Sequence, residues 1–366
     1  MTGQRVVIRE FGETPLDAIA AQLELVEQPR PEPGELGPLD VIVEVRSAAV
    51  GWVDLLMTSG QYQHMPAPPY TPGLEYAGVV DWVGAEVEGL AIGDRVLADG
   101  LRTGPRSLGP YQGWGGFARW AVAPREALIP LPPSFDFDQG CNLLGNYETA
   151  YHCLIHRGRL QAGETVLING ATGATGFAAV DLAKRLGATV IATGRSPAKL
   201  AEVAEFGADH VLAIGSEDGA GIREFRGEVK ALTGGRGVEV VYDPVGGAVS
   251  LESLRCVAFG ARFLIVGWSS TPFVARGKGL RGAPNANVVP TNLIMMKGLD
   301  VLGCPAVISS HHDPSIRVTR LAQLLDWARA GEISPRVAAR YPLAEVREAM
   351  RAKWESRFVG GVVVHP

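Results

Sequence analysis

Residues 165–187 read TVLINGATGATGFAAVDLAKRLG. The first five (TVLIN) form a short apolar run, the pattern of a buried strand. From Thr175 onward, Phe177, Val180, Leu182, Ala183 and Leu186 fall on one face of a helix. Between them lies Gly170-Ala171-Thr172-Gly173-Ala174-Thr175-Gly176, an A-x-G-x-x-G variant of the dinucleotide fingerprint. Small residues let the backbone approach a pyrophosphate. The helix N-terminus supplies free N–H groups and a dipole that favour the anion. Such a turn is weak alone; the strand before it and the helix after it are the context that gives it weight.

The alternation continues toward the C-terminus. Strand-like runs at 189–193 (TVIAT), 210–213 (HVLA), 238–242 (VEVVY), 262–266 (RFLIV) and 299–304 (LDVLGC) follow. Helices are expected from Pro197, from about Gly221 and from about Val249. Six strands alternating with helices mean right-handed βαβ units, an α/β doubly wound parallel sheet over residues 141–305. An NAD site would place an acid at the end of the second strand. The residues there are Thr193-Gly194-Arg195-Ser196-Pro197-Ala198-Lys199, without one. Ser196 suits an N-cap and Pro197 a first helical position. Arg195 and Lys199 flank that helix start, where they either hold a 2′-phosphate or are solvated cations. The register favours the phosphate and hence NADPH.

The first ~140 residues have a different texture, with short Val-rich runs punctuated by Pro and Gly, as in a β-rich domain. Residues 99–116 lack periodicity and are expected as a long surface loop. After residue 305 come a helix (316–330), a strand near 337–341, a helix from Leu343 and an apolar run at 358–365, so the tail is expected to return to the β-rich head. Glycine is abundant, 46 of 366 residues, but without a three-residue period, which excludes a collagen-like chain. A net charge of −5 with no basic stripe argues against nucleic acid. No apolar run reaches the roughly 18–20 residues of a membrane span. The acidic N-terminal stretch is unlike a signal peptide. Cys141, Cys153, Cys256 and Cys304 lie far apart in sequence, which fits reduced thiols and a cytoplasmic location.

The chain resembles the zinc-independent, quinone oxidoreductase-like and enoyl reductase branch of the medium-chain dehydrogenase/reductase family. The residues that carry the resemblance are Pro69-Tyr70-Thr71-Pro72-Gly73-Leu74-Glu75-Tyr76-Ala77-Gly78-Val79-Val80 and Gly93-Asp94-Arg95-Val96. Gly115-Gly116-Phe117-Ala118, Glu148-Thr149-Ala150-Tyr151, the 163–187 unit, Asp243-Pro244-Val245-Gly246-Gly247 and Tyr341-Pro342-Leu343 agree as well. The resemblance implies a GroES-like β-rich catalytic domain (1–140 and 306–366) around the Rossmann domain, an active site in the cleft between them, and a homodimer. It adds Thr149, Val245, Gly246, Val266 and Gly267 to the cofactor residues Ala171–Gly176, Arg195, Ser196 and Lys199. Zinc-dependent relatives carry a Cys near residue 52 and Gly-His-Glu where this chain has Gly73-Leu74-Glu75. Here the first region reads Val50-Gly51-Trp52-Val53-Asp54. No Cys or His is present to complete a tetrahedral set, so no metal is expected. Without a Lewis acid, alcohol oxidation loses its usual alkoxide stabiliser. Reduction of an activated C=C needs only a hydride, an oxyanion donor and a proton.

By the same resemblance, Tyr62 stands where enoyl-thioester reductases place a proton donor. A phenol of pKa about 10 is a plausible acid for a developing enolate; the alternative is a tyrosine that lines the pocket. Gly51, Trp52, Asp54, Leu56, His64 and Trp268 are the substrate-side candidates. Relatives often have Asn at Gly51 and Tyr at Leu56, and Gly-Lys where this chain has Gly360-Gly361. Trp52, Trp114 and Trp268 either form an aromatic wall or pack separately. Asp54 and Glu75 are expected to hold loops. Residues 273–290 form an insertion with Arg276, Lys278 and Arg281, either a contact for substrate phosphates or a solvated loop. The expected activity is NADPH-dependent reduction of an enone or enoyl thioester. A quinone reductase, a metal-independent ketone/alcohol dehydrogenase and a non-catalytic NADPH-binding protein are the alternatives.

Overall fold

A computed structural model describes residues 2–62, 65–107, 109–217, 219, 221–270 and 287–366. They form two packing units, 2–145 with 328–366 and 146–270 with 287–327.

In the first unit, β1 (Thr2–Val7) and β2 (Glu24–Pro29) pair antiparallel. β3 (Asp40–Ala49), β4 (Tyr76–Val83), β5 (Arg95–Ala98), β6 (Trp120–Pro124) and β7 (Leu128–Pro130) enter a seven-stranded sheet. The β3 sequence DVIVEVRSAA shows why. Val41, Val43 and Val45 point into the main core, and Ile42 packs on the other face with Trp120 and Val122. That is the period-2 division of a strand with two covered faces.

The second unit holds β8 (Thr165–Ile168), β9 (Thr189–Gly194), β10 (His210–Ala213), β11 (Val238–Asp243), β12 (Val257–Ile265) and β13 (Asp300–Gly303). Their spatial order is β10-β9-β8-β11-β12-β13, and every pairing is parallel. This is the Rossmann order, with the reversal between β8 and β11 that makes a ligand crevice at the strands' carboxyl ends. The chain then returns to the first unit. β14 (Val337–Pro342) pairs parallel with β15 (Gly361–His365), which pairs antiparallel with β3. Asp138 fastens this return, receiving His365 Nε2 at 2.7 Å and Arg340 Nε at 2.5 Å.

Two local expectations change. The helix expected from Gly221 begins at Arg226, because Ile222 bridges to Gly215 and Arg223 N–H donates to Ile214 O. The expected surface loop at 99–116 is largely inward. Thr103, Arg106 and Ser107 are buried, with Arg106 reaching Glu75 at 3.5 Å. By packing, the second unit extends to Trp327. Arg317 and Arg320, on the helix Ser315–Arg329, ion-pair with buried Glu148 at 2.6 and 2.9 Å and hold that helix to it. Cys153 and Cys304, distant in sequence, share a side-chain hydrogen bond; all four cysteines are free and buried. Among the described residues no helix is long and apolar enough to cross a membrane.

Candidate functional site

The turn after β8 leaves a helix start open to solvent. The helix Ala174–Arg185 starts with Gly173 as N-cap and no side chain satisfying its first N–H groups. A Cβ on Gly173 would meet nothing nearer than Gly170 O at 3.5 Å, so the approach is open. A Cβ on Gly176 would lie 2.3 Å from Gly170 O, so only glycine lets the helix sit this close to the strand. Ala171 is buried and its N–H donates to Thr193 O. The Thr175 hydroxyl donates to Asn146 Oδ1 at 3.0 Å, so its side chain fastens a helix while its N–H stays in the first turn. Thr172 and Ala174 are partly buried beside it, and Thr149 lies on the helix Leu144–Tyr151.

Under this turn a buried polar network ties the strand ends together. Asn169 Nδ2 donates to Asp243 Oδ1 (3.2 Å) and Ser253 Oγ (2.9 Å), and the Thr193 hydroxyl donates to Asn169 Oδ1 (3.0 Å). Asp243 also accepts from the N–H groups of Val245 and Gly246 and from the Ser250 hydroxyl. Burial raises its pKa, opposed by those hydrogen bonds. The N–H groups of Val266 and Gly267 donate to Asp243 O. Val245, Gly246, Val266 and Gly267 thus spend their N–H groups on the crevice wall itself.

At the end of β9, Ser196 caps the helix Pro197–Phe206, its Oγ accepting from Lys199 N at 3.4 Å. Arg195 is exposed and Lys199 partly buried. Burial lowers the Lys199 pKa, as does the Arg195 charge, against Glu202. Two cations close enough to repel one another, at a capped helix start, suit a dianionic phosphate. The glycine cradle and this cation pair fit a dinucleotide.

In the first unit the substrate-side candidates gather on one helix, Trp52–Thr58. Gly51 is its N-cap, Asp54 its third residue, and Leu56 is partly buried. Asp54 is buried and accepts from the N–H groups of Gly51 (2.9 Å), Gly73 (3.1 Å) and Leu74 (3.1 Å). It holds the helix start to the 73–74 turn. Desolvation nevertheless pushes its pKa up to about 6, against those hydrogen bonds and Arg106. Tyr62 follows the helix and is partly buried. His64 lies outside the described residues, as do Arg276, Lys278 and Arg281. Trp52 does not present an open aromatic wall, because it stacks on Trp354 with centroids 5.3 Å apart and planes at 4°. Trp114 packs in a separate cluster with Ile42, Trp120 and Val122, and Trp268 is exposed on the second unit.

Sequence reasoning missed two residues around Asp54, Lys353 and Tyr70. Lys353, on the helix Val346–Trp354, feels the Asp54 charge, yet burial pulls its pKa down to about 8. The hydroxyls of Tyr70 and Thr71 are buried without a hydrogen-bond partner. Burial, then Asp54, raises the Tyr70 pKa. No spacing rule connects Lys353 to Asp54. The only hint was the pair of tryptophans beside them, at opposite ends of the chain. Among the described residues no three His, Cys, Asp or Glu side chains group as a metal site.

Comparison with known proteins follows the same division. Residues 37–133 match the family described as alcohol dehydrogenase GroES-like domain, and residues 174–315 that described as zinc-binding dehydrogenase. The quinone oxidoreductase-like protein 2 homolog of Nematostella vectensis is 33% identical over 332 residues, 90% of this chain and 82% of that protein. A probable oxidoreductase from Mycobacterium abscessus superposes with a TM-score of 0.78 at 29% identity. A mycobacterial protein solved in complex with NADPH does so at 0.78 and 26%. Both cover 100% of each chain.

Proposed function

We infer from one premise, that the chain belongs to the quinone oxidoreductase-like branch of the medium-chain dehydrogenase/reductase family, that it reduces an activated C=C, an enone or enoyl thioester, with NADPH and without zinc. The observation that carries this reading is a substrate-side helix whose one buried carboxylate is already committed, in a chain that also carries the Arg195/Lys199 cation pair. Asp54 accepts three backbone N–H groups, and Glu75 faces Arg106. Neither has a thiolate or imidazole beside it in sequence where a zinc set would need one.

The nucleotide, held by the turn after β8 and by Arg195 and Lys199, would supply a hydride to the β-carbon of the acceptor. The C=C π electrons then move onto the carbonyl oxygen as an enolate, and a proton must reach the α-carbon. Tyr62 is the donor in this reading, with its phenol proton replaced from solvent. The backbone amides of Ala174–Gly176 and the Arg195/Lys199 cations hold the two phosphate regions and so fix the nucleotide.

A quinone is the second acceptor, favoured by the similarity to a quinone oxidoreductase-like protein. The protein is proposed as a cytoplasmic homodimer. Exposed Phe259, Met295 and Met296 lie on the second unit, whose β13 is an edge strand of its sheet. A screen of NADPH and NADH oxidation with cyclohexenone, crotonyl-CoA and naphthoquinone tests the reading. Turnover of an enone or enoyl thioester with NADPH supports it. Turnover of naphthoquinone alone assigns the second acceptor.

A further inference from the structure

Asn287, partly buried near the end of the 273–290 insertion, reaches the wall of the nucleotide crevice. Its Oδ1 accepts from the Gly247 N–H at 3.0 Å, and its Nδ2 donates to Ser250 Oγ at 3.0 Å. Ser250 is fully buried, and its hydroxyl donates to Asp243 Oδ2. Each bond can run only one way. A backbone N–H donates, so Oδ1 faces Gly247. A hydroxyl that gives its proton to a carboxylate accepts from the amide, so Nδ2 faces Ser250.

These bonds fix a turn whose residues are intrinsically free. Gly246 and Gly247 follow one another with φ of +79° and +60°, a left-handed pair with the backbone entropy of glycine to lose. The helix Gly247–Cys256 begins there, and Gly246, its N-cap, has no side chain to receive the first N–H groups. Asp243 takes the N–H groups of Val245 and Gly246 at 3.0 and 3.3 Å, and Asn287 takes the next. Three successive N–H groups of the turn therefore end on two side chains, which are joined to each other through Ser250. One amide both caps the helix and steadies the carboxylate that receives the rest of the turn.

The strand order assigns the turn to one half of a dinucleotide. The turn follows β11, Arg195 follows β9, and β8 lies between those strands. A dinucleotide straddles this reversal, with the adenosine ribose at the end of the second strand and the other mononucleotide across the first. The 245–247 turn is on the nicotinamide side.

We propose that Asn287 is a positioning residue for the nicotinamide half of the nucleotide, fixing the 245–247 turn by capping Gly247 and by holding Ser250 against Asp243. This rests on the reading of the chain as a nicotinamide-nucleotide enzyme and is independent of which acceptor is reduced.

Titration of the protein with NADPH and, separately, with 2′,5′-ADP, which carries the adenosine half and no nicotinamide, tests it. Asn287→Ala should weaken NADPH binding about tenfold, near the worth of one hydrogen bond, and leave 2′,5′-ADP within about twofold of the parent. Ser250→Ala, which cuts the link between Asn287 and Asp243, should show the same selectivity, and the double variant should fall short of the product of the two effects. A general loosening of the fold would weaken both ligands alike. Equal weakening of both, or an unchanged NADPH affinity in folded Asn287→Ala, would overturn the proposal. A parent protein that binds neither ligand would remove the nucleotide reading and this inference with it.

Discussion

Asp54 and Lys353 are both held away from their usual titration ranges by burial, and in opposite directions. For Lys353 the folded pKa of about 8 lies below the unfolded 10.5. The unfolded chain therefore binds more protons between those values, and stability rises with pH across that window. For Asp54 the folded value, about 6, lies above the unfolded 3.8, so its contribution is present at low pH and lost as pH rises through 6. Lys353→Met should flatten the rise in melting temperature between pH 8 and 10 while leaving the acid limb; a variant with the parental slope would contradict the assignment. At Tyr62, the proposed acid role predicts that Tyr62→Phe lowers kcat on an enone by about tenfold or more with NADPH affinity intact. Wild-type kcat, under conditions where chemistry limits the rate, would leave Tyr62 as pocket wall. Replacing Arg195 and Lys199 together by Ala should raise KM for NADPH by about tenfold or more and leave NADH nearly unchanged, since each phosphate contact is charge-assisted. Equal changes for both nucleotides would remove the 2′-phosphate reading.

The turn between β8 and the helix Ala174–Arg185 depends on an approach that only glycine permits. Gly176→Ala places a carbon 2.3 Å from Gly170 O. It should cost on the order of 1–3 kcal/mol of stability and weaken NADPH binding, measured by melting and by nucleotide titration. This element was legible in the sequence because parallel strands are covered on both faces and read as unbroken Val/Ile/Leu runs, and because the small residues fall at fixed offsets between strand and helix. The same rules failed where tertiary contacts outweigh local pattern. Gly221 opens a bridged loop rather than a helix, and Arg106 carries a polar, aperiodic stretch inward to Glu75. Around the site, the resemblance named Gly51, Asp54, Leu56 and Tyr62, which the structure sets on or beside one helix. The sequence could not reveal the Trp52–Trp354 stack, the Lys353–Asp54 apposition or the Cys153–Cys304 contact, since each joins residues with no local relation.

At the scale of the molecule, two units with separate sheets share one continuous chain that leaves the first and returns to it through β14 and β15. The proposed homodimer predicts a solution mass of twice 38.8 kDa by light scattering, reduced to one chain by Phe259→Asp if the exposed face of the second unit is the contact. Metal independence predicts that exhaustive chelation leaves activity and melting temperature unchanged, and that zinc is well below one per chain; stoichiometric zinc would mean that the 51–54 and 73–75 regions had been misread. The destination of the hydride separates conjugate reduction from carbonyl reduction. Reduction of cyclohexenone with NADPH deuterated at the transferred position, followed by NMR of the product, reads it directly. Conjugate reduction gives cyclohexanone with deuterium at the former β-carbon and a solvent proton at the α-carbon; deuterium on the carbinol carbon of an allylic alcohol would rule it out.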